Sequence, residues 1–167
     1  MPVSHVANSE SFKVTTPSDR EITITRLFDA PRHLVFEAMT KPEHVRNWWG
    51  ILDDGYSVTE CHIDLRVGGA WRFAGRGPDG QSPAFYGVYR EINPPGRLVY
   101  TEIFEPFPDV ESVVTQVLTE EGGKTRITIT SQYPSLEVRD MVLKTGMEHG
   151  AALSYDRLEE VARQLRS

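Results

Sequence analysis

Residues 20–50 read REITITRLFDAPRHLVFEAMTKPEHVRNWWG, and the fold is decided by how this stretch changes period. From Arg20 to Phe28, β-branched Ile22, Thr23, Ile24 and Thr25 alternate apolar with polar, the pattern of a half-buried strand. The period then becomes helical. Asp29 or Ala30 is expected to cap a helix that Pro31 opens with a preset φ, and Leu34, Val35, Ala38 and Met39 form its apolar stripe. Thr40-Lys41-Pro42-Glu43 has the form of a capping box, so a second short helix is expected to carry Val45, Trp48 and Trp49 on one side.

Downstream, short runs rich in Val, Ile, Thr and aromatic residues are separated by Gly, Pro, Asn and Asp. Expected strands are 56–64, 70–74, 85–92, 98–104, 112–120 and 124–133. Gly122-Gly123 predicts a two-residue hairpin, because such turns need positive φ, and Asn93-Pro94-Pro95-Gly96 predicts another turn. Short strands joined by turns imply an antiparallel meander. Upstream, the first dozen residues are polar and unpatterned, giving a loose arm over 1–17 and a single domain over 18–167.

From Pro134 the period is 3.6 again, and one helix is expected from about Leu136 to Leu165, on the order of 45 Å long at about 1.5 Å per residue. Its seam runs Val138, Met141, Thr145, Glu148, Ala152, Tyr155, Leu158, Ala162, Leu165. Gly146 and Gly150 near its middle ask for close packing, a kink, or room for a ligand.

This order resembles the helix-grip fold of the START/Bet v 1-like superfamily: an α+β domain in which a curved antiparallel sheet of about seven strands surrounds a long C-terminal helix, with two short helices after the first strand. Residues 20–50, Asp64-Leu65-Arg66-Val67-Gly68-Gly69-Ala70-Trp71-Arg72-Phe73, Tyr86 to Ile92 with Pro94 to Leu98, and Gly146 to Leu158 are together similar to the signatures of the bacterial homologues of the activator of Hsp90 ATPase. The sequence departs from that family at Ile51 and Val67, where proline is frequent, and at Ala151, where tryptophan often stands. The resemblance implies a cavity between sheet and helix for a small hydrophobic or amphipathic molecule, and Hsp90 as a further partner.

Composition narrows the classes. The chain has 167 residues, 39% hydrophobic and 25% charged, with 13 Gly and 11 Pro, as expected of one folded domain. A net charge of −6 opposes a nucleic-acid or acidic-membrane partner. No window approaches the roughly 20 apolar residues of a membrane span, residues 1–20 lack a signal-peptide pattern, and the single Cys61 excludes an intrachain disulfide, so a cytoplasmic monomer or homodimer is expected.

Residues expected to line the cavity are Trp49, Trp71, Phe73, Tyr86, Tyr100, Phe104, Tyr133, Met141, Thr145 and Glu148. Aromatics offer an apolar body with a polar tip, and Glu148 could anchor a ligand hydroxyl or amine, pair with an inward Arg, or turn to solvent. The run Gly75-Arg76-Gly77-Pro78-Asp79-Gly80 matches a dinucleotide fingerprint in letters, but Gln81-Ser82-Pro83 leads into a strand and not a helix, so it is a hairpin loop. His5, His33, His44, His62 and His149 are dispersed, Cys61 and His62 point to opposite faces of a strand, and Asp53-Asp54 and Glu120-Glu121 are turn and strand-end charges. No metal, cofactor or catalytic constellation is expected. The functional expectation is a carrier, sensor or sequestering protein. The alternatives are a cyclase- or hydrolase-type enzyme using Glu148, His149, Tyr133 and Arg90, and a chaperone-associated protein.

Overall fold

A computed structural model describes residues 11–51, 55–80 and 84–166. Residues 1–10 of the arm with His5, the Asp53-Asp54 turn and Gln81-Ser82-Pro83 lie outside the described residues.

The described chain forms eight strands and four helices: β1 (Lys13–Thr15), β2 (Glu21–Phe28), α1 (Arg32–Thr40), α2 (Pro42–Val45), β3 (Ser57–Ile63), β4 (Ala70–Arg76), β5 (Ala84–Asn93), β6 (Arg97–Phe104), β7 (Glu111–Glu121), β8 (Lys124–Gln132), α3 (Leu136–Lys144) and α4 (Met147–Gln164). All strands join one antiparallel sheet in the order β1-β2-β8-β7-β6-β5-β4-β3. The extra strand β1 lies inside the segment read as a loose arm. It pairs with β2, and the Ser11 hydroxyl accepts from the Leu27 amide at 2.8 Å.

Strict alternation gives the sheet one apolar face. Ile22, Ile24, Arg26 and Phe28 of β2 turn inward, as do Ile127 and Ile129 of β8 and Val114, Gln116 and Leu118 of β7. The β7–β8 register is set by Gly122 and Gly123, whose φ values of 59° and 81° match the primed hairpin turn. Bulges between Val58 and Glu60 and between Tyr89 and Glu91 interrupt two ladders, and such interruptions bend the strands that carry them. At Gly87 a side chain would run into the Thr101 carbonyl, and the Trp71 indole uses this bare position to donate to that carbonyl at 3.1 Å.

Both proposed helix caps take other forms. Pro31 itself is the extended N-cap of α1, without a side-chain cap, and the Asp29 amide donates to Glu159 of α4 at 2.8 Å. The Thr40 hydroxyl donates back to the Phe36 carbonyl at 2.8 Å, so the Thr40–Glu43 capping box does not form and α2 starts from Lys41. Trp48 is held by its indole N–H on the Ala38 carbonyl at 2.8 Å.

The single helix expected over 136–165 is broken. Gly146 adopts φ 79°, ending one helix and capping the next, a left-handed conformation that costs glycine little. The break changes what the helices bury. None of α3 is buried, whereas α4 buries Ser154, Leu158, Glu159, Val161 and Ala162. α4 is fixed to β2 by a buried ion-pair network: Arg26, 1% exposed, reaches Asp156 at 2.8 Å and Glu159, 0% exposed, at 3.5 Å, while its guanidinium stacks over Phe28. Removing one member of such a network leaves an uncompensated charge.

Candidate functional site

The inner face of β3–β6 carries a ladder of rings. Phe107 meets Phe104 at 6.0 Å, Phe104 stacks on Phe85 at 4.8 Å, and Trp49 stands edge-on to Phe85 and Phe73 at 5.7 and 5.5 Å. Trp71 continues it to Phe73 and Tyr100 at 5.1 and 5.4 Å, and Tyr100 to Tyr89 at 6.1 Å. Trp71 and Tyr89 are buried, but Trp49, Phe73, Phe85, Tyr100 and Phe104 are only half-buried, and Phe107 is 50% exposed. Inward rings stay accessible here because α3, with no buried residue, does not close over them. The result is an aromatic face left partly exposed.

Polar groups sit at the inner end of this ladder. Tyr100 accepts a 2.6 Å hydrogen bond from the Gln116 amide, whose Oε1 is buried with no partner. Two residues along β6, on the same face, lies Glu102. Desolvation alone pushes its carboxyl from 4.5 up to about 7. Its charge reaches Tyr133, which is pushed up to about 12 mainly by burial and hydrogen-bonds Ser131. It also reaches Tyr100 and, from α4, Tyr155, both raised chiefly by burial. Tyr155 packs against Phe12, Phe28 and Trp48, forming the opposite wall.

Of the residues expected from sequence, Trp49, Trp71, Phe73, Tyr100, Phe104 and Tyr133 come together on this inner face. Tyr86 does not. It pairs with Arg72 and Ile103 on the outer face, where the Arg72 guanidinium lies 5.9 Å over its ring. Met141, Thr145 and Glu148 are exposed, because the break at Gly146 ends the continuous seam that would have carried them inward, and the Thr145 hydroxyl is spent on the Val142 carbonyl at 2.6 Å. Glu148 makes no ion pair with an inward Arg among the described residues: Arg26, which does face inward, is bound to Asp156 and Glu159. His149 is exposed, and Arg90 pairs with Glu111 at 3.8 Å. Glu102 was missed, although Leu98-x-Tyr100-x-Glu102-x-Phe104 places a carboxylate in the apolar phase of a strand.

The outer face carries a groove of about 360 Å³ lined by Arg72, Tyr86, Val88, Thr101, Ile103 and Glu111. Its strongest charge is already satisfied, since Arg72 bridges Glu60 and Glu105 at 2.9 and 2.8 Å. The Gly75–Gly80 run ends β4 and turns through Gly80, φ 81°, toward β5, so no helix N-terminus follows it. Among the described residues no three His, Cys, Asp or Glu side chains gather as a metal site, and no helix is long and apolar enough to cross a membrane.

A bent antiparallel sheet gripping a C-terminal helix, with a half-open aromatic face between them, defines a helix-grip protein. The family model described as "Activator of Hsp90 ATPase homolog 1-like protein" matches residues 29–163, and the chain belongs to that family. It is similar to a solved protein from Rhodobacter sphaeroides, 25% identical with a TM-score of 0.82, over 92% of this chain and 99% of that one. A Mycobacterium smegmatis protein is 28% identical with a TM-score of 0.77, over 89% and 96%. The AHSA1-like protein of Aeromonas hydrophila, 17% identical over 87% and 94% with a TM-score of 0.64, shares the fold. No curated protein matches the chain.

Proposed function

We propose that this protein binds a small hydrophobic or amphipathic molecule between the inner sheet face and α4, as a carrier, sensor or sequestering protein. The observation that carries this reading is the ladder from Phe107 to Tyr100: inward rings that the C-terminal helices leave half accessible. Apolar area of this kind gains about 25 cal/mol per Å² when a guest covers it. The rings supply non-directional affinity, and the polar groups around Tyr100 would orient the guest.

Native mass spectrometry of the freshly purified protein tests this. A co-purifying small molecule is expected, lost when Phe85 and Phe104 are both changed to Ser. Release of nothing, together with no uptake of 1-octanol added at millimolar concentration, would refute it.

One observation favours a second reading. A carboxyl with a pKa near 7 beside tyrosine hydroxyls is suited to general acid–base work, so Glu102 is the residue on which an enzymatic role would rest. A binding protein returns the released guest unchanged and an enzyme converts it. A chaperone-associated role, taken from the family description, predicts a changed Hsp90 ATP turnover on addition of the protein.

A further inference from the structure

The polar end of the aromatic face contains a carboxylate without a cationic partner. Glu102 faces the interior from β6, and among the described residues no Lys, Arg or His pairs with its carboxylate. The interior guanidinium of Arg26, on β2, is committed to Asp156 and Glu159 of α4. Beside Tyr100, Gln116 is only 7% exposed and uses its N–H on the Tyr100 oxygen, leaving Oε1 buried and unpartnered. Within reach of the Glu102 charge stand Tyr100, Tyr133 and Tyr155, each with a hydroxyl and an electron-rich ring.

An anionic head would meet Glu102 with like charge and find no cation. A hydroxyl brings no charge to set against the carboxylate. An alkylammonium brings the opposite charge, three donors and an affinity for a ring face. We infer that the guest is an amphipathic primary amine, its ammonium seated at Glu102 among the tyrosines, its tail along Phe104, Phe85 and Trp49. This rests on the inner face being a binding site, and it names the chemical class that face selects.

A pH signature follows. The groups that face Glu102 from β6, the end of β8 and α4 are Tyr100, Tyr133 and Tyr155, all raised from 10.0, so they stay neutral between pH 6 and 8. An alkylamine, like a lysine of pKa about 10.4, stays charged there. Of the amine and the groups that face it, Glu102, at about 7, is the one that changes state in that window, and it ionises as pH rises.

The test compares octylamine, 1-octanol and octanoate by titration calorimetry on the whole protein at pH 6 and 8. At pH 8 octylamine is expected to bind at least about tenfold more tightly than either other probe, and its affinity to rise by up to about tenfold from pH 6 to 8 as Glu102 ionises. Glu102→Gln should abolish both the preference and the pH dependence. Equal binding of octylamine and 1-octanol, or a preference that survives in Glu102→Gln, would overturn the amine assignment and leave the binding site standing. Failure of all three probes to bind would overturn both.

Discussion

Replacing Glu102 by Gln removes an ionisable group from the interior while preserving its shape. In the folded protein its carboxyl is raised from 4.5 to about 7 by desolvation, so between those values the folded state holds a proton that the unfolded chain releases. The sign follows from linkage: the contribution of Glu102 to wild-type stability is fully present below about pH 4.5, is lost as pH rises through 7, and is level above. The shift corresponds to on the order of 3 kcal/mol, and the residual exposure of Glu102 lowers this to about 2 kcal/mol. Gln carries no charge and escapes the penalty. Urea melts at pH 4.5, 6, 7 and 8 should therefore show wild type and Glu102→Gln close together at the acid end. At pH 8 the variant should be more stable by about 2 kcal/mol, or roughly 4–8 °C in Tm for a chain of this size. Other carboxylates titrate in both proteins and cancel in the difference. A constant gap across pH, or a variant less stable at pH 8, would refute the placement of Glu102 as an unpaired interior carboxyl.

Glu159→Ala should cost about 3–5 kcal/mol in urea unfolding, because it strips Arg26 of a buried partner and frees the Asp29 amide. Gly146→Ala should cost about 1–2 kcal/mol: nothing stands within 4 Å of the new Cβ, so the penalty is that of φ 79° alone, read from the same melts. Gly87→Ala should cost more than Gly146→Ala, about 3 kcal/mol or above, since its Cβ would overlap the Thr101 carbonyl and push the Trp71 indole off its hydrogen bond. Cys61, buried with its thiol pushed up to about 11, should react with a thiol reagent at pH 8 at least a hundredfold more slowly in buffer than in 6 M guanidinium.

The sheet was legible because its rule is local. Alternation in Glu21–Phe28 and Lys124–Gln132 assigns each residue to a face, and Gly122-Gly123 can serve one kind of turn. The same rule placed Trp71, Phe73, Tyr100 and Phe104 inside. The same parity sends Tyr86 outward with Arg72 and Ile103, and Glu102 inward with Tyr100 and Phe104. The C-terminal helix was harder to read. A 3.6-residue period runs through Gly146 without showing that the chain breaks there, and a seam extrapolated across the break put Met141, Thr145 and Glu148 on the wrong side. Arg26 looked like the polar half of an amphipathic strand, and its partners Asp156 and Glu159 lie 130 and 133 residues away, a pairing that no local pattern reveals.

The most direct measurement is intermolecular NOE spectroscopy on the labelled protein saturated with 1-octanol, an uncharged probe independent of the amine assignment. The account predicts contacts from the alkyl chain to ring protons of Trp49, Phe73, Phe85 and Phe104. Contacts confined to Tyr86, Val88 and Ile103 of the outer groove, or none at all, would contradict it.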